Sequence, residues 1–447
     1  MDDRYCGLTG EVITPDDPGY EEARQEWNRA IQKLPLAIVY CSTVCDVSNA
    51  ICWARNSCVS IRIRSGGHNY EGYSVGNVVL VIDISRMNGL EIDRENNLLK
   101  AQGGVKNNQL YGLVAAEGYP FPGGTCPTVG VSGYALGGGW GYSCRHLGLG
   151  CDSLLELELV DYSGKIILAN ECCNPDLFWA CRGAGGGNFG VVVSLTFKLP
   201  PKVHRVSLVE LYLPGSTEET QAIFIDAWQR WLIGLDERLT IIANMYNSQR
   251  EGLAIYGRGI FYGPPEEAAE ILQPLASIEG MRLTLQYIPF FEAINQIGES
   301  YPDSEQFKST GRFVYEEYDQ KEIAEIVGLI RTRPEGSILA CVSVYALGGK
   351  VREVSNDATA FYHREAKYII GFQSVWLEQQ YAQKNTEWVQ QKFDYLKSIT
   401  MGSYVNFPYS DLPDYEEAYY GRNAGRLERV KSIYDPLDVF TFPQSIK

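Results

Sequence analysis

The sequence predicts an α+β fold in two domains, and three observations carry that expectation. A chain of 447 residues is too long for one compact core. Its 45 glycines cluster at 123–150 and 183–190, beside short apolar runs, which points to backbone approaching a ligand. After Pro200-Pro201, a pair that interrupts helices and ladders alike, alternating strands joined by short turns favour an antiparallel sheet covered by helices on one face.

In the first part, Leu36–Tyr40 is apolar and β-prone, Asp46–Asn56 reads as a short helix with Asp46 as its cap, and Val59–Arg64 alternates at period two into a glycine loop. Val78–Asp83 is a buried strand. Gln109–Glu117 is a helix closed by Gly118. Leu154–Val160 turns through Asp161–Lys165 into Ile166–Leu168, and the run 185–190 leads into Val191–Leu195. In the second part, strands are expected at 205–213, 239–245, 253–261, 282–287, 338–345 and 367–376. Helices are expected at 216–232, with Ser216 and Glu219 spaced as a capping box, and at 264–276. The last 45 residues return to loop plus one helix, 415–434.

The chemistry concentrates in two glycine loops. His68 lies in Arg64-Ser65-Gly66-Gly67-His68-Asn69-Tyr70, and Cys126 in Gly123-Gly124-Thr125-Cys126-Pro127-Thr128-Val129-Gly130. Glycines let backbone N–H groups approach a phosphate, and an imidazole and a thiol at the loop edges are nucleophiles. Together they form a cradle for a dinucleotide bonded twice to the protein, a bicovalent flavin. No segment fits a Rossmann fingerprint, and no P-loop is present.

A formal net charge of −16 without a basic stripe excludes nucleic acid and anionic membrane surfaces as partners. No run of 18 apolar residues is present, and the acidic N-terminus carries no secretory signal, so a soluble, cytoplasmic protein is expected. The twelve cysteines lack repeated C-x-x-C pairs, so free thiols and no metal are expected. Nothing sets an oligomeric state.

The stretches Arg64–Tyr70, Gly123–Gly141, Gly185–Val192 and Tyr404–Phe407, with the tail Tyr419–Ser445, resemble the berberine bridge enzyme-like flavoproteins of the vanillyl-alcohol oxidase superfamily. The resemblance spans roughly residues 8 to 446. It implies a PCMH-type FAD-binding domain at 1–204, a substrate domain at 205–399, and a segment at 400–447 returning to the FAD domain. It also implies FAD bonded to His68 through the 8α-methyl carbon and to Cys126 through ring C6. Ser65, Gly66 and Gly67 resemble the pyrophosphate loop, with Arg64 as the local positive charge. Val129, Gly130, Gly133, Gly138 and Val192 resemble cofactor-lining positions, completed by Asn69, Gly124, Thr125, Leu136, Gly137, Gly141 and Gly190. Tyr404 and Asn406 resemble tail residues that approach the ring.

The chain departs from its relatives in one motif. Many read Tyr-x-Asn-Tyr, whose last tyrosine takes a proton; here the motif is Tyr404-Val405-Asn406-Phe407. An alcohol oxidation needs a base for the O–H proton, and Tyr345, Tyr404 and His363 are the candidates. His146 and His204 are expected to be surface or satisfied core residues. The expected function is an FAD-dependent oxidase that takes a hydride from an alcohol or sugar carbon to flavin N5 and passes electrons to oxygen, forming hydrogen peroxide. The alternatives are a dehydrogenase with another acceptor, or a flavin-bearing protein with a weakened site and a structural role. Val129, three residues after Cys126, resembles the oxidases, where a bulkier leucine resembles the dehydrogenases.

Overall fold

Three sheets organise the chain, described over residues 3–447 of a computed structural model. The first has four strands in the order Glu11–Ile13, Ala37–Tyr40, Leu80–Asp83, Ile61–Arg64. The last three run parallel, and Leu80–Asp83 is buried along its whole length, as expected of a parallel strand covered on both faces. The helix Val44–Asn56 begins two residues earlier than the expected Asp46–Asn56. Thr43 is the N-cap and accepts from the Asp46 N–H, while the Asp46 carboxylate accepts from the Thr43 N–H. Asp46 therefore caps from N3, not from the cap position.

The second sheet is antiparallel, with five strands in the order Leu90–Asp93, Leu98–Gln102, Val191–Lys198, Leu154–Val160, Ile166–Asn170. The first two were not anticipated, because they are short and Leu98–Gln102 buries only alternate residues. The helix Asn107–Ala116 precedes Gly118, whose φ of +82° suits glycine.

The third sheet has seven antiparallel strands: Arg282–Pro289, Arg205–Pro214, Gly252–Phe261, Leu239–Ser248, Ser337–Ala346, Tyr368–Trp376, Gln306–Val314. Its two faces separate by period two. Tyr368, Phe372 and Ser374 meet Trp228, Trp388 and Asn385 of the helices Glu218–Trp231 and Ala382–Ser398. The opposite face carries Ile242, Asn244, Tyr246 and Ser248, paired across the strands with Tyr345, Ser343, Cys341 and Leu339. This second face is the floor of a cavity.

Several details differ from the sequence reading. The helix Glu218–Trp231 is capped by Thr217 with Thr220 at N3, so the Ser216/Glu219 pair is not its capping box. The helices Phe290–Gly298, Gln320–Gly328 and Ala382–Ser398 and the strand Gln306–Val314 went unrecognised. The expected helix 415–434 is two helices, Tyr415–Tyr420 and Ala424–Tyr434, separated at Gly421 with φ +50°.

The tail folds back across the molecule. The Tyr404 N–H donates to the Gly311 carbonyl at 3.1 Å, and the buried Lys431 ammonium donates to the carbonyls of Asn188 and Phe440 and pairs with Asp435. All twelve cysteines are free thiols.

Candidate active site

A cavity of about 780 Å³ lies between the four-stranded and seven-stranded sheets. Ile63 and Ser65 to Tyr70 line it from the end of the first sheet. Gly124 to Cys126, Val129, Gly130, Gly133 and Leu136 follow from the second glycine loop, and Gly185 to Gly187, Gly190 and Val192 from the third. Tyr404, Asn406, Phe407 and Phe442 enter from the tail. The three glycine clusters, far apart in sequence, thus meet at one space.

His68 and Cys126 face each other through one hydroxyl. Thr128 Oγ1 lies 2.8 Å from His68 Nε2 and 3.6 Å from Cys126 Sγ. The imidazole stacks on Trp27, with centroids 5.0 Å apart and planes 24° apart. Burial, helped by the charge of Lys106, lowers the His68 pKa to about 3, so the ring is neutral. Burial raises the Cys126 thiol, while the Thr128 hydroxyl and the N–H groups of Thr128 and Val129 pull it down.

The donor set fits FAD. A Cβ on Gly133 would meet nothing within 4 Å, and one on Gly186 nothing nearer than 3.7 Å, so both glycines leave space at the wall rather than packing against protein. Gly185 and Gly187 have φ of +85° and +84°, turning successive backbone amides along that wall. One cavity joins this amide-rich region to the His68–Cys126 region, as a dinucleotide with a ring system at one end requires.

At four positions the cavity wall departs from the sequence expectation. Arg64 does not line the cavity: its Nε donates to Asp83 Oδ2 at 2.5 Å and its guanidinium lies 3.6 Å from the buried Glu26 carboxylate. One cation between two carboxylates leaves no positive charge for a pyrophosphate, so Arg64 anchors the loop instead; Arg62 of the same strand lines the cavity, with Arg258 of the large sheet and Arg250 of the turn that precedes its strand. Gly137, Gly138 and Gly141 also lie outside the lining. A side chain there would collide with Asn406, Phe361 and the Gly123 carbonyl respectively, so these glycines permit close packing.

That packing builds an unanticipated feature. Gly138 and Gly139, at φ +107° and +89°, turn the N–H groups of Gly139 and Trp140 toward one point, the Tyr404 Oη, each at 3.0 Å. Asn406 Nδ2 donates to the same oxygen at 3.1 Å and to the Tyr134 carbonyl at 2.9 Å. Three donors converging on a phenol oxygen match the acceptor capacity of a phenolate. Burial still leaves Tyr404 at about 12, with these three hydrogen bonds pulling downward. Tyr345 also lines the cavity, edge-on to Trp140 at 5.2 Å, but burial drives its pKa further up, against only the Ser343 hydroxyl.

His363 is elsewhere. Its Nε2 donates to the Ala418 carbonyl at 2.9 Å, its Nδ1 accepts from Tyr315 Oη at 2.7 Å, and its ring stacks on Phe313 at 4.2 Å. Both nitrogens are occupied and burial lowers its pKa to about 4, so it joins the tail to the large sheet rather than serving as a base in the cavity. Phe407 stacks on Tyr70 with planes 4° apart.

Sequence reasoning missed Glu305, a cavity-lining carboxyl just before the strand Gln306–Val314. Its backbone pairs with Trp27 and Arg29, while its side chain has no hydrogen-bond or ion-pair partner among the described residues. Burial raises its pKa to about 7. An isolated Glu between polar residues carries no sequence signature of this. Among the described residues no His, Cys, Asp and Glu cluster is arranged for a metal, and no helix is long and apolar enough to cross a membrane.

Comparison with known proteins is consistent with this geometry. The FAD binding domain family model matches residues 35–170, and the model for berberine and berberine-like proteins matches 403–447. An uncharacterised FAD-linked oxidoreductase of Bacillus subtilis, YgaK, is 36% identical over 98% of this chain and 97% of its own. The xylooligosaccharide oxidase of Thermothelomyces thermophilus is 27% identical over 94% and 89%. The solved structure of berberine bridge enzyme-like 1 from Physcomitrella patens superposes with a TM-score of 0.90 at 26% identity, covering 98% of this chain and 97% of that one.

Proposed function

The chain belongs to the berberine bridge enzyme-like family of FAD-linked oxidoreductases, and we propose that it is an oxidase of alcohols or sugar hydroxyls. FAD held at this site would supply the two-electron acceptor, with dioxygen as the final oxidant and hydrogen peroxide as the product. In this reading His68 and Cys126 hold the cofactor covalently, while the amides of Ser65–Gly67 and Gly185–Gly187 carry its pyrophosphate.

The observation that carries the reading is the triple donor set on Tyr404. An alcohol must lose its O–H proton as hydride leaves its carbon, and the oxygen whose anion these three hydrogen bonds favour against burial is the group to receive it. Phe407 cannot take that proton, and Tyr404 makes a hydroxyl at 407 unnecessary. Tyr345 packs on Trp140 and Phe407 and shapes the site.

The substrate side is polar. Asn244 accepts from Ser343 at 2.6 Å, and Arg258 and Tyr256 meet on Glu210 next to the same floor. Trp140, Tyr345, Tyr70 and Phe407 supply aromatic walls. Hydroxyl-binding groups between aromatic faces suit a carbohydrate or polyol ring. The likeness to a xylooligosaccharide oxidase supports the same class.

The test is peroxide release from a panel of sugars and alcohols, set against reduction of an artificial dye. Peroxide formed in step with substrate supports the oxidase. Dye reduction without peroxide replaces it with a dehydrogenase. Failure of every donor to bleach the flavin leaves a flavin-bearing protein with a weakened site.

A further inference from the structure

Thr128 occupies a position that neither the FAD-binding role nor the oxidation uses. Its hydroxyl is within hydrogen-bond reach of both His68 and Cys126, at 2.8 and 3.6 Å. The contact is rigidly set from both sides. Gly66 has no room for a Cβ against the backbone of Thr128 and Gly130, so the two loops touch at van der Waals range. The Asn107 side chain donates to the Cys126 carbonyl at 3.0 Å, and the Asn107 N–H to the Val129 carbonyl at 3.0 Å, clamping the turn that carries Thr128.

The hydrogen count then has a direction. A neutral imidazole has one N–H, and a threonine hydroxyl has one proton. If His68 Nε2–H donates to Oγ1, then Oγ1–H is free to donate to Cys126 Sγ, and His68 Nδ1 keeps its lone pair. Nδ1 has no hydrogen-bond partner among the described residues, and His68 lines the cavity. The opposite direction would protonate Nδ1 and leave the sulfur without this donor.

We propose that Thr128 is the positioning residue for covalent attachment of the flavin, holding His68 in the tautomer with a nucleophilic Nδ1 and donating a hydrogen bond to the Cys126 sulfur. The proposal rests on the reading that both residues bond to the cofactor. In each attachment one C–H bond of the ring system breaks and one C–N or C–S bond forms. Two protons and two electrons are released, and dioxygen takes them as hydrogen peroxide. At His68 one of those protons is the one on Nε2, which passes to Thr128 Oγ1 as that hydroxyl gives its own proton to the Cys126 sulfur. At Cys126 the thiolate is the attacking form, and a hydroxyl donor together with two backbone N–H groups favours it.

The experiment counts links rather than turnover. Wild type, Thr128→Val, Thr128→Ala and Thr128→Ser are harvested at intervals after synthesis. Each is digested, and the flavin-bearing peptides containing His68 and Cys126 are quantified by mass. Wild type and Thr128→Ser acquire both links at comparable rates. Thr128→Val still binds FAD, but both links form about 10²-fold more slowly, the low end of what a placed proton acceptor contributes. Thr128→Ala carries the same test if the valine variant does not fold. Wild-type linkage rates in the valine or alanine variant overturn the proposal, as does a serine variant as slow as they are, since that would make the methyl group the cause. Wild type with neither link overturns the underlying reading of His68 and Cys126, an outcome distinct from the others.

Discussion

Glu305→Gln tests whether the cavity holds a half-buried carboxyl whose ionisation folding disfavours. Burial moves this group from 4.5 to about 7, with no cation nearby to offset it. At about 1.4 kcal/mol for each pH unit, that shift corresponds to about 3 kcal/mol, and residual contact with water reduces it to about 2 kcal/mol. The sign follows from proton binding. Below 4.5 the side chain is protonated both folded and unfolded, and its burial carries no ionic penalty. Between 4.5 and 7 the unfolded chain ionises while the folded one holds its proton, so stability falls as pH rises, and above 7 the loss is complete. Glutamine mimics the protonated form at every pH. The variant is therefore expected to match wild type toward pH 4.5 and to be more stable by about 2 kcal/mol above pH 7. Urea unfolding of the flavin-loaded proteins, followed by tryptophan fluorescence across this pH range, measures the gap. A gap that does not widen with pH, or a wild type more stable than the variant above pH 7, refutes the reasoning.

Tyr404→Phe removes the proposed proton acceptor and leaves three donors without an anion to stabilise, so anaerobic flavin reduction by substrate should slow by about 10²–10⁴-fold. Tyr345→Phe should slow it far less, and stopped-flow traces showing the reverse order would transfer the role to Tyr345. Val129→Leu adds a methylene at the cavity wall beside Cys126; reoxidation by air should slow while anaerobic reduction stays near wild type, and equal reoxidation rates would remove Val129 from oxygen access. Arg64→Met leaves Asp83 and Glu26 buried without their cation, and denaturant unfolding should show a loss of about 3–5 kcal/mol. A loss below about 1 kcal/mol would mean those carboxylates are already neutral.

Much of this protein is legible along the chain because the signals are local. The glycine loop around His68 follows a run whose period marks a strand, and the loop around Cys126 follows a helix closed by Gly118; each pattern is readable within about ten residues. The α+β class, the family and the change of texture at Pro200-Pro201 come from such short-range patterns. The alternation of Ile242, Asn244, Tyr246 and Ser248 is also written in the sequence, although which face meets a helix and which a cavity is not.

The tertiary structure decided what depends on groups far apart in sequence. Arg64 reads as a phosphate-neutralising charge until Asp83 and Glu26 close on it, because burial of a cation is set by its partners, not by its neighbours in the chain. Gly137–Gly139 reads as a ligand loop until Tyr404, more than 260 residues away, brings its oxygen to the amides that those glycines turn outward. His363 reads as a base until Ala418 and Tyr315 occupy both nitrogens. Glu305 has no signature, since an unpaired carboxyl becomes unusual only when the fold removes its water. Residue type and spacing determine which groups are available for chemistry; packing determines which of them stay solvated, which are paired, and which are left facing the cavity with a proton to give or take.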